Sequence, residues 1–228
     1  MKKFKRILII LLGVLPMVCT AVAVFFILPD TVAAHFGING TPDRYGSKYE
    51  AFIFPAVILG IALFYFLFRK FAKRSSTDDN SRTERNLDII DTVIMMIMVL
   101  FNALCVFLLT VMGDPSTMKD KESMIFVIIS TVIGVLFIFL GNILPKTKPN
   151  SFVGVRMSWS MDSDKHWYIT NRNCGIAMVL SGICTVIAGL IVRNGTYIIY
   201  MILSLILFLT VATIYSYVII KREKKSQE

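Results

Sequence analysis

The side chains able to do chemistry in this 228-residue chain are few and far apart. Its two histidines, His35 and His166, fall in separate polar segments. Cys19, Cys105, Cys174 and Cys184 make no C-x-x-C pair; three lie inside apolar blocks and Cys174 at the edge of one. That placement marks small packing residues rather than redox or metal ligands. Ser130, Ser181 and Ser204 sit in apolar runs with no histidine nearby to act as a base. Chemistry-bearing groups gather in two places only. One segment, 29–50, carries Asp30, His35, Asp43, Arg44 and Tyr45, a set suited to binding a partner or to acid–base work. The other, 145–173, carries Arg156, Trp159, Trp167 and Arg172, guanidinium and indole groups of the kind that anchor interfaces. Neither set predicts a metal centre or a cofactor.

The elements that position these groups are membrane helices. Hydrophobic residues are 56% of the chain and charged residues 17%, against about 25% charged in a soluble domain. The apolar excess is packed into six blocks: Ile7–Leu28, Ala51–Phe68, Ile89–Met112, Met124–Leu144, Cys174–Val192 and Tyr197–Ile220. Each is long enough to cross a bilayer, and each is continuous rather than alternating, which predicts helices and not barrel strands. The fold class is therefore all-α, a polytopic bundle of six transmembrane helices. Ala21-Val22-Ala23 resembles a signal-peptide cleavage site, but Val24–Leu28 continues the apolar run, so the first block reads as a retained span.

Charge orients the bundle. Nineteen of the 24 Lys and Arg residues lie in the N-terminus, the second and fourth connections and the C-terminal tail, and five in the other three connections. The positive-inside rule puts the rich set, with both termini, in the cytoplasm. The formal charge of +9 is thus a topology signal, and no soluble basic domain remains for direct nucleic-acid binding. Segment 29–50 becomes extracellular and 145–173 cytoplasmic, so His35 and His166 cannot share a metal.

The blocks are expected to hold no Asp, Glu, Lys, Arg or His, which argues against a proton-coupled transporter, a charged ion filter and an intramembrane protease. Ala177, Ser181, Thr185 and Ala188 recur at helical spacing and predict close helix packing. Pro16 and Pro55 are expected to kink or begin their helices. In the outer segment, Pro29 onward reads as a short helix stopped by Gly37, with turn residues at Asn39-Gly40 and Pro42-Asp43; an Asp43–Arg44 pair would order it. In the inner segment, Pro145 stops the fourth helix and Pro149 extends the chain. Trp159, Trp167 and Tyr168 would sit at headgroup level, making the segment either a membrane-surface lid or a docking surface.

Both segments carry a family pattern. The inner one reads Gly141, Asn142, Leu144, Pro145, Lys146, Lys148, Pro149 and Asn150, then Gly154, Arg156, Trp159, Ser160, Trp167, Thr170, Arg172 and Gly175. It resembles the signature of the SdpI-type family, membrane immunity proteins against a sporulation-delaying toxin. Leu28-Pro29, His35-Phe36, Gly40, Pro42-Asp43 and Gly46-Ser47-Lys48 resemble a module of unknown function common at the N-terminus of that family. Met157-Ser158 stands where the family usually has Thr-Pro, and Asn171 where it has His. The resemblance implies an N-terminal two-helix module over 1–70 and a four-helix region over 71–228. It also implies a non-enzymatic bacterial cell-membrane protein that gives immunity to a secreted peptide toxin, in some members with signalling to a cytoplasmic regulator. Its functional inner residues would be Asn142, Pro145, Lys148, Pro149, Asn150, Gly154, Arg156, Trp159, Trp167, Thr170 and Arg172. Two other classes stay open: a transporter of a small hydrophobic substrate, and a membrane-edge enzyme on lipid or cell-wall precursors using Asp30, His35 and Asp43.

Overall fold

The computed structural model describes residues 2–75, 80–113, 123–150 and 153–226; Lys119 and Lys121, used above for orientation, lie outside them. Six long helices carry the chain: α1 (Lys2–Phe26), α2 (Ile53–Ser75), α3 (Asn80–Gly113), α4 (Met124–Ile143), α5 (Asp164–Val192) and α6 (Tyr197–Lys225). All six are long and apolar enough to cross a membrane. Their outer faces say the same: Leu203, Ile206 and Leu207 on α6 are each 60% exposed. Such a face is costly in water and costs nothing in hydrocarbon. The protein is a multi-pass membrane helix bundle. Pro16 lies inside α1 and Pro55 in the first turn of α2.

Ion pairs and hydrogen bonds fix which ends lie together. Lys5 of α1 bonds Asp88 of α3, Lys73 of α2 pairs with Glu84, and Lys165 of α5 pairs with Glu223 of α6. Asn86 bonds the backbone of Lys148. Both termini and the 144–163 connection therefore share one end of the bundle. The 27–52 connection and the α5–α6 turn share the other, where the Gly195 N–H donates to the Ile38 carbonyl at 2.9 Å.

Packing is dense in two places. Helices α1, α2 and α3 enclose Ile9, Ile58, Ala62, Met98 and Cys105, and the Asn102 amide in α3 donates to the Leu12 carbonyl of α1. Helices α4, α5 and α6 form the second. Here the expected small-residue face is present: Ala177, Ser181 and Thr185 are buried, and the Ser181 hydroxyl bonds to α5 and to the Ser204 carbonyl of α6. The tighter seam is one the sequence reading missed. Gly175 and Gly182 of α5 meet the backbone of Gly141 and Gly134 of α4, and Gly189 meets the Ser130 side chain. A seven-residue spacing keeps small residues on one face of a slightly underwound helix pair. A methyl on Gly182 would stand 2.5 Å from the Gly134 carbonyl and 2.9 Å from the Ile138 nitrogen. Gly182→Ala should therefore lower stability by about 1–3 kcal/mol in thermal melts of the detergent-solubilised protein. Gly60→Ala, where a methyl meets nothing within 4 Å, should leave the melt unchanged or raise it.

Three expectations are corrected. First, the blocks are not free of ionisable groups. Asp91 lies in the third block, fully buried, bonded by the Arg69 guanidinium of α2 and by the Tyr65 hydroxyl at 2.7 Å. The charge persists because a cation on the neighbouring helix neutralises it, so the absence of buried charge no longer argues against any function class. Second, α5 begins at Asp164, not Cys174. The Ser163 hydroxyl caps it by accepting the His166 N–H at 3.1 Å, and Asp164 stands in the positively polarised first turn. Trp167, Thr170 and Arg172 are therefore helical, not part of a surface lid.

Third, the segment after α1 is a β-hairpin and not a helix stopped by Gly37. Strand β1 (Thr31–Phe36) pairs antiparallel with β2 (Pro42–Ser47), Thr31 opposite Ser47 and Ala33 opposite Tyr45. Register shifts leave Ala34 and Asp43 bulged. The turn closes through Gly37 N–H to Thr41 O at 2.8 Å, and Gly40 supplies the left-handed residue at φ 88°. At the base, Lys48 pairs with Asp30 through both side chain and backbone.

Candidate functional site

At the hairpin end the charged residues sort into pairs. His35 Nδ1 lies 2.6 Å from Asp43 Oδ1, on an exposed face. Arg44 forms a two-pronged bond with Glu50, at 3.1 and 2.7 Å. Asp43 thus orders the hairpin through His35, and the expected Asp43–Arg44 bond is replaced by Arg44–Glu50. Asp30 is held below the usual carboxylate range, first by the hydrogen bond from Lys48 and then by its charge. A lowered folded pKa gives a contribution that is complete above the ordinary carboxylate range and lost only as pH falls through the lowered value. At neutral pH Asp30 is therefore charged and able to pair with Lys48. Tyr45 projects freely, 59% exposed.

Beneath the hairpin, Val24, Leu28, Val32 and Ala51 form a small core with Leu109 and Met112 of α3 alongside. This anchors a polar hairpin onto two spans and leaves Arg44, Tyr45 and the His35–Asp43 pair facing outward. The arrangement can present charge and an aromatic ring from a rigid base.

At the other end the inner motif divides into a buried scaffold and an exposed remainder. Trp167 is almost fully buried, and its indole N–H donates to the Thr147 carbonyl at 3.0 Å and hydroxyl at 3.1 Å. Its ring is enclosed by protein rather than open to the surroundings. Gly154, at φ 119°, lies against its ring: a side-chain carbon there would be 2.4 Å from Trp167 Cζ2. Asn171 accepts the Val155 N–H and donates back to the Trp167 carbonyl. Asn150 is buried and holds the backbone of Lys148 and Val153. Pro145 sits in a short 3₁₀ turn, Leu144–Lys146, that ends α4; Lys148 approaches Asp164 at 3.9 Å; Pro149 is half-buried. Asn142 is exposed and bonds only its own helix.

Arg156 and Arg172 are exposed. Trp159 is half-buried, its ring edge-on to Tyr217 of α6 at 5.1 Å. Among the described residues, Trp159 Nε1, His166 Nδ1 and Thr170 Oγ1 are buried without a hydrogen-bond partner. Asp162 lies 3.9 Å from His166 and 2.5 Å from Lys224, whose hydrogen bond lowers its pKa. The organisers Thr147, Asn86 and Asn171 were outside the sequence-based set. The Asn171 departure from the family pattern marked the one position where a signal existed.

Two regions of the chain match known protein families. Residues 146–216 match the model of the SdpI/YfhL protein family, and residues 11–59 match a domain of unknown function, DUF1648. The immunity protein SdpI of Bacillus subtilis is 24% identical over 199 residues, covering 87% of each chain. An uncharacterized protein of Archaeoglobus fulgidus is 60% identical over 30 residues, 13% of this chain and 16% of that one. No solved structure matches the chain.

Proposed function

We propose that this SdpI-type membrane protein gives its host immunity to a secreted, membrane-acting toxin peptide, recognised on the outer face by the hairpin, without catalysis. The observation that supports this reading is the hairpin itself. It is pinned by paired charges and a small core, touches both helix groups, and presents Arg44 and Tyr45 outward. The Bacillus subtilis relative is an immunity protein. The basic residues favour both termini and the inner motif in the cytoplasm. There the exposed Arg156 and Arg172 would contact a cytoplasmic regulator protein, carried by the Trp167 scaffold.

A second reading has one observation in its favour. An apolar crevice of about 310 Å³ lies between the helix groups, lined by Phe64, Phe68, Ile94, Leu140 and Val153. It suits transport of a small hydrophobic substrate, and flux in proteoliposomes without any toxin would put that reading ahead.

The immunity reading is tested by expressing the chain in a sensitive bacterial strain and challenging it with candidate secreted peptides. Survival against at least one peptide, lost when Arg44 becomes Ala at unchanged protein level, is the expected outcome; equal killing of expressing and non-expressing cells by all of them counts against it. Orientation is read separately. Reporters fused at residue 40 should report from outside and at the C-terminus from inside; a C-terminal reporter active outside would invert the assignment.

A further inference from the structure

The hairpin does not lie flat on the bundle. Between it and the start of α2 and end of α3 is a cavity of about 210 Å³. Its walls are apolar, with Ala34 from the hairpin, Phe54 from α2, and Cys105 and Leu109 from α3. Its polar edge is the Arg44–Glu50 pair, whose side chains are 55% and 28% exposed. The cavity thus straddles the boundary between a polar hairpin and two apolar spans, where an amphipathic peptide lies when it settles on a membrane.

We infer that this cavity is the socket for one large apolar side chain, aromatic or branched, of an extracellular peptide. The Arg44–Glu50 pair would bond the peptide's backbone amides on either side of that residue. The inference rests on the reading of the hairpin as the outer recognition element, and it names the feature recognised. Size supports it: a dry cavity on the order of 150 Å³ takes a benzene ring, and this one is somewhat larger. A lipid acyl chain is a poorer fit, since it extends over roughly 15 Å of one leaflet and offers nothing to a guanidinium–carboxylate pair. The pair also fits a peptide chemically, because guanidinium N–H groups donate to carbonyls while the carboxylate accepts from amide N–H groups.

Cys105 lines the cavity and is only 2% exposed, so its modification reports on entry into the cavity. In a variant with Cys19, Cys174 and Cys184 changed to Ala, reconstituted in liposomes, the rate of Cys105 modification by methyl methanethiosulfonate is measured. The probes are N-acetylphenylalanine amide and N-acetylalanine amide at equal concentration. The phenylalanine amide should slow modification about tenfold more than the alanine amide, and filling the cavity with Ala34→Phe should abolish the difference. Ala34→Ser, which adds no bulk, should retain it, and a thermal melt of Ala34→Phe unchanged from the parent separates a filled socket from a misfolded protein. Equal effects of the two amides overturn the proposal, as does a difference that survives Ala34→Phe. A Cys105 that reacts in short-chain detergent and not in liposomes would make the occupant a lipid chain and overturn it too. Protection from peptides is scored independently. A chain that protects while Cys105 fails to discriminate contradicts the socket alone, and one that discriminates without protecting contradicts immunity alone.

Discussion

Trp167→Ala should lower the stability of the solubilised protein by about 3–5 kcal/mol, while Arg156→Ala changes it by less than about 1 kcal/mol. Both residues belong to the inner motif, and sequence reading treats them as equivalent contact residues. Their surroundings differ. Trp167 fills the space between the start of α5 and the 147–155 connection, with its N–H on Thr147 and its ring against Gly154. Truncation leaves a large cavity and removes a donor from two acceptors at once. The Asn171 bridge to Val155 stands one turn further along the same face, so the connection should loosen together with the ring. Arg156 is exposed, so its truncation opens no cavity in the packed scaffold. Thermal melts of the two variants, with limited proteolysis of the 147–155 segment, provide the comparison. Melts that fall equally, or a protected segment in Trp167→Ala, would show that the indole is not the keystone. Membrane insertion should survive in both, because the span itself stays apolar.

Arg69→Leu should be comparably severe, costing about 3–5 kcal/mol. The substitution removes the cation bonded to Asp91 and leaves a carboxylate buried between α2 and α3 with the Tyr65 hydroxyl as its hydrogen-bond donor and only the more distant charge of Arg6 to offset it. An unpaired charge in a low-dielectric interior is far costlier than the pair is beneficial. The double variant Arg69→Leu with Asp91→Leu removes both charges and should recover most of the loss. Yield of monodisperse protein and melting temperature both report this. A double variant no better than Arg69→Leu alone would show that the ion pair is not the reason Asp91 is tolerated.

Why these two sites were hard to see in the sequence is instructive. The six spans were legible because long apolar blocks have one stable answer in lipid, and α4 and α6 begin at the residues where their blocks begin. Asp91 was overlooked because a single carboxylate barely lowers the hydropathy of its block, and its partner sits on another helix. The start of α5 was hidden because its first turns are polar and aromatic; Ser163 was the available signal, with the cap-then-acid pattern of a helix start. The hairpin was misread because Ala33-Ala34 favours a helix locally. Its strand character comes from packing Val32 and Ala33 onto the ends of the spans, a tertiary preference that overrides propensity. In the candidate sites, residue identities were legible and their partners were not. Arg44 was singled out, but its bond to Glu50 crosses into the turn that leads to α2. Trp167 was singled out as a contact residue, and the fold makes it a scaffold.

The central claim, that the hairpin decides which peptide the protein protects against, is tested most directly by exchanging segment 31–47 with that of the Bacillus subtilis relative. Each chimaera is expressed at equal level in a sensitive strain and challenged with the peptides against which either parent protects. The account predicts that the protection spectrum follows the hairpin, each chimaera protecting against the peptide of its hairpin donor. Chimaeras that are inserted and expressed but keep the spectrum of their helix donor would contradict it.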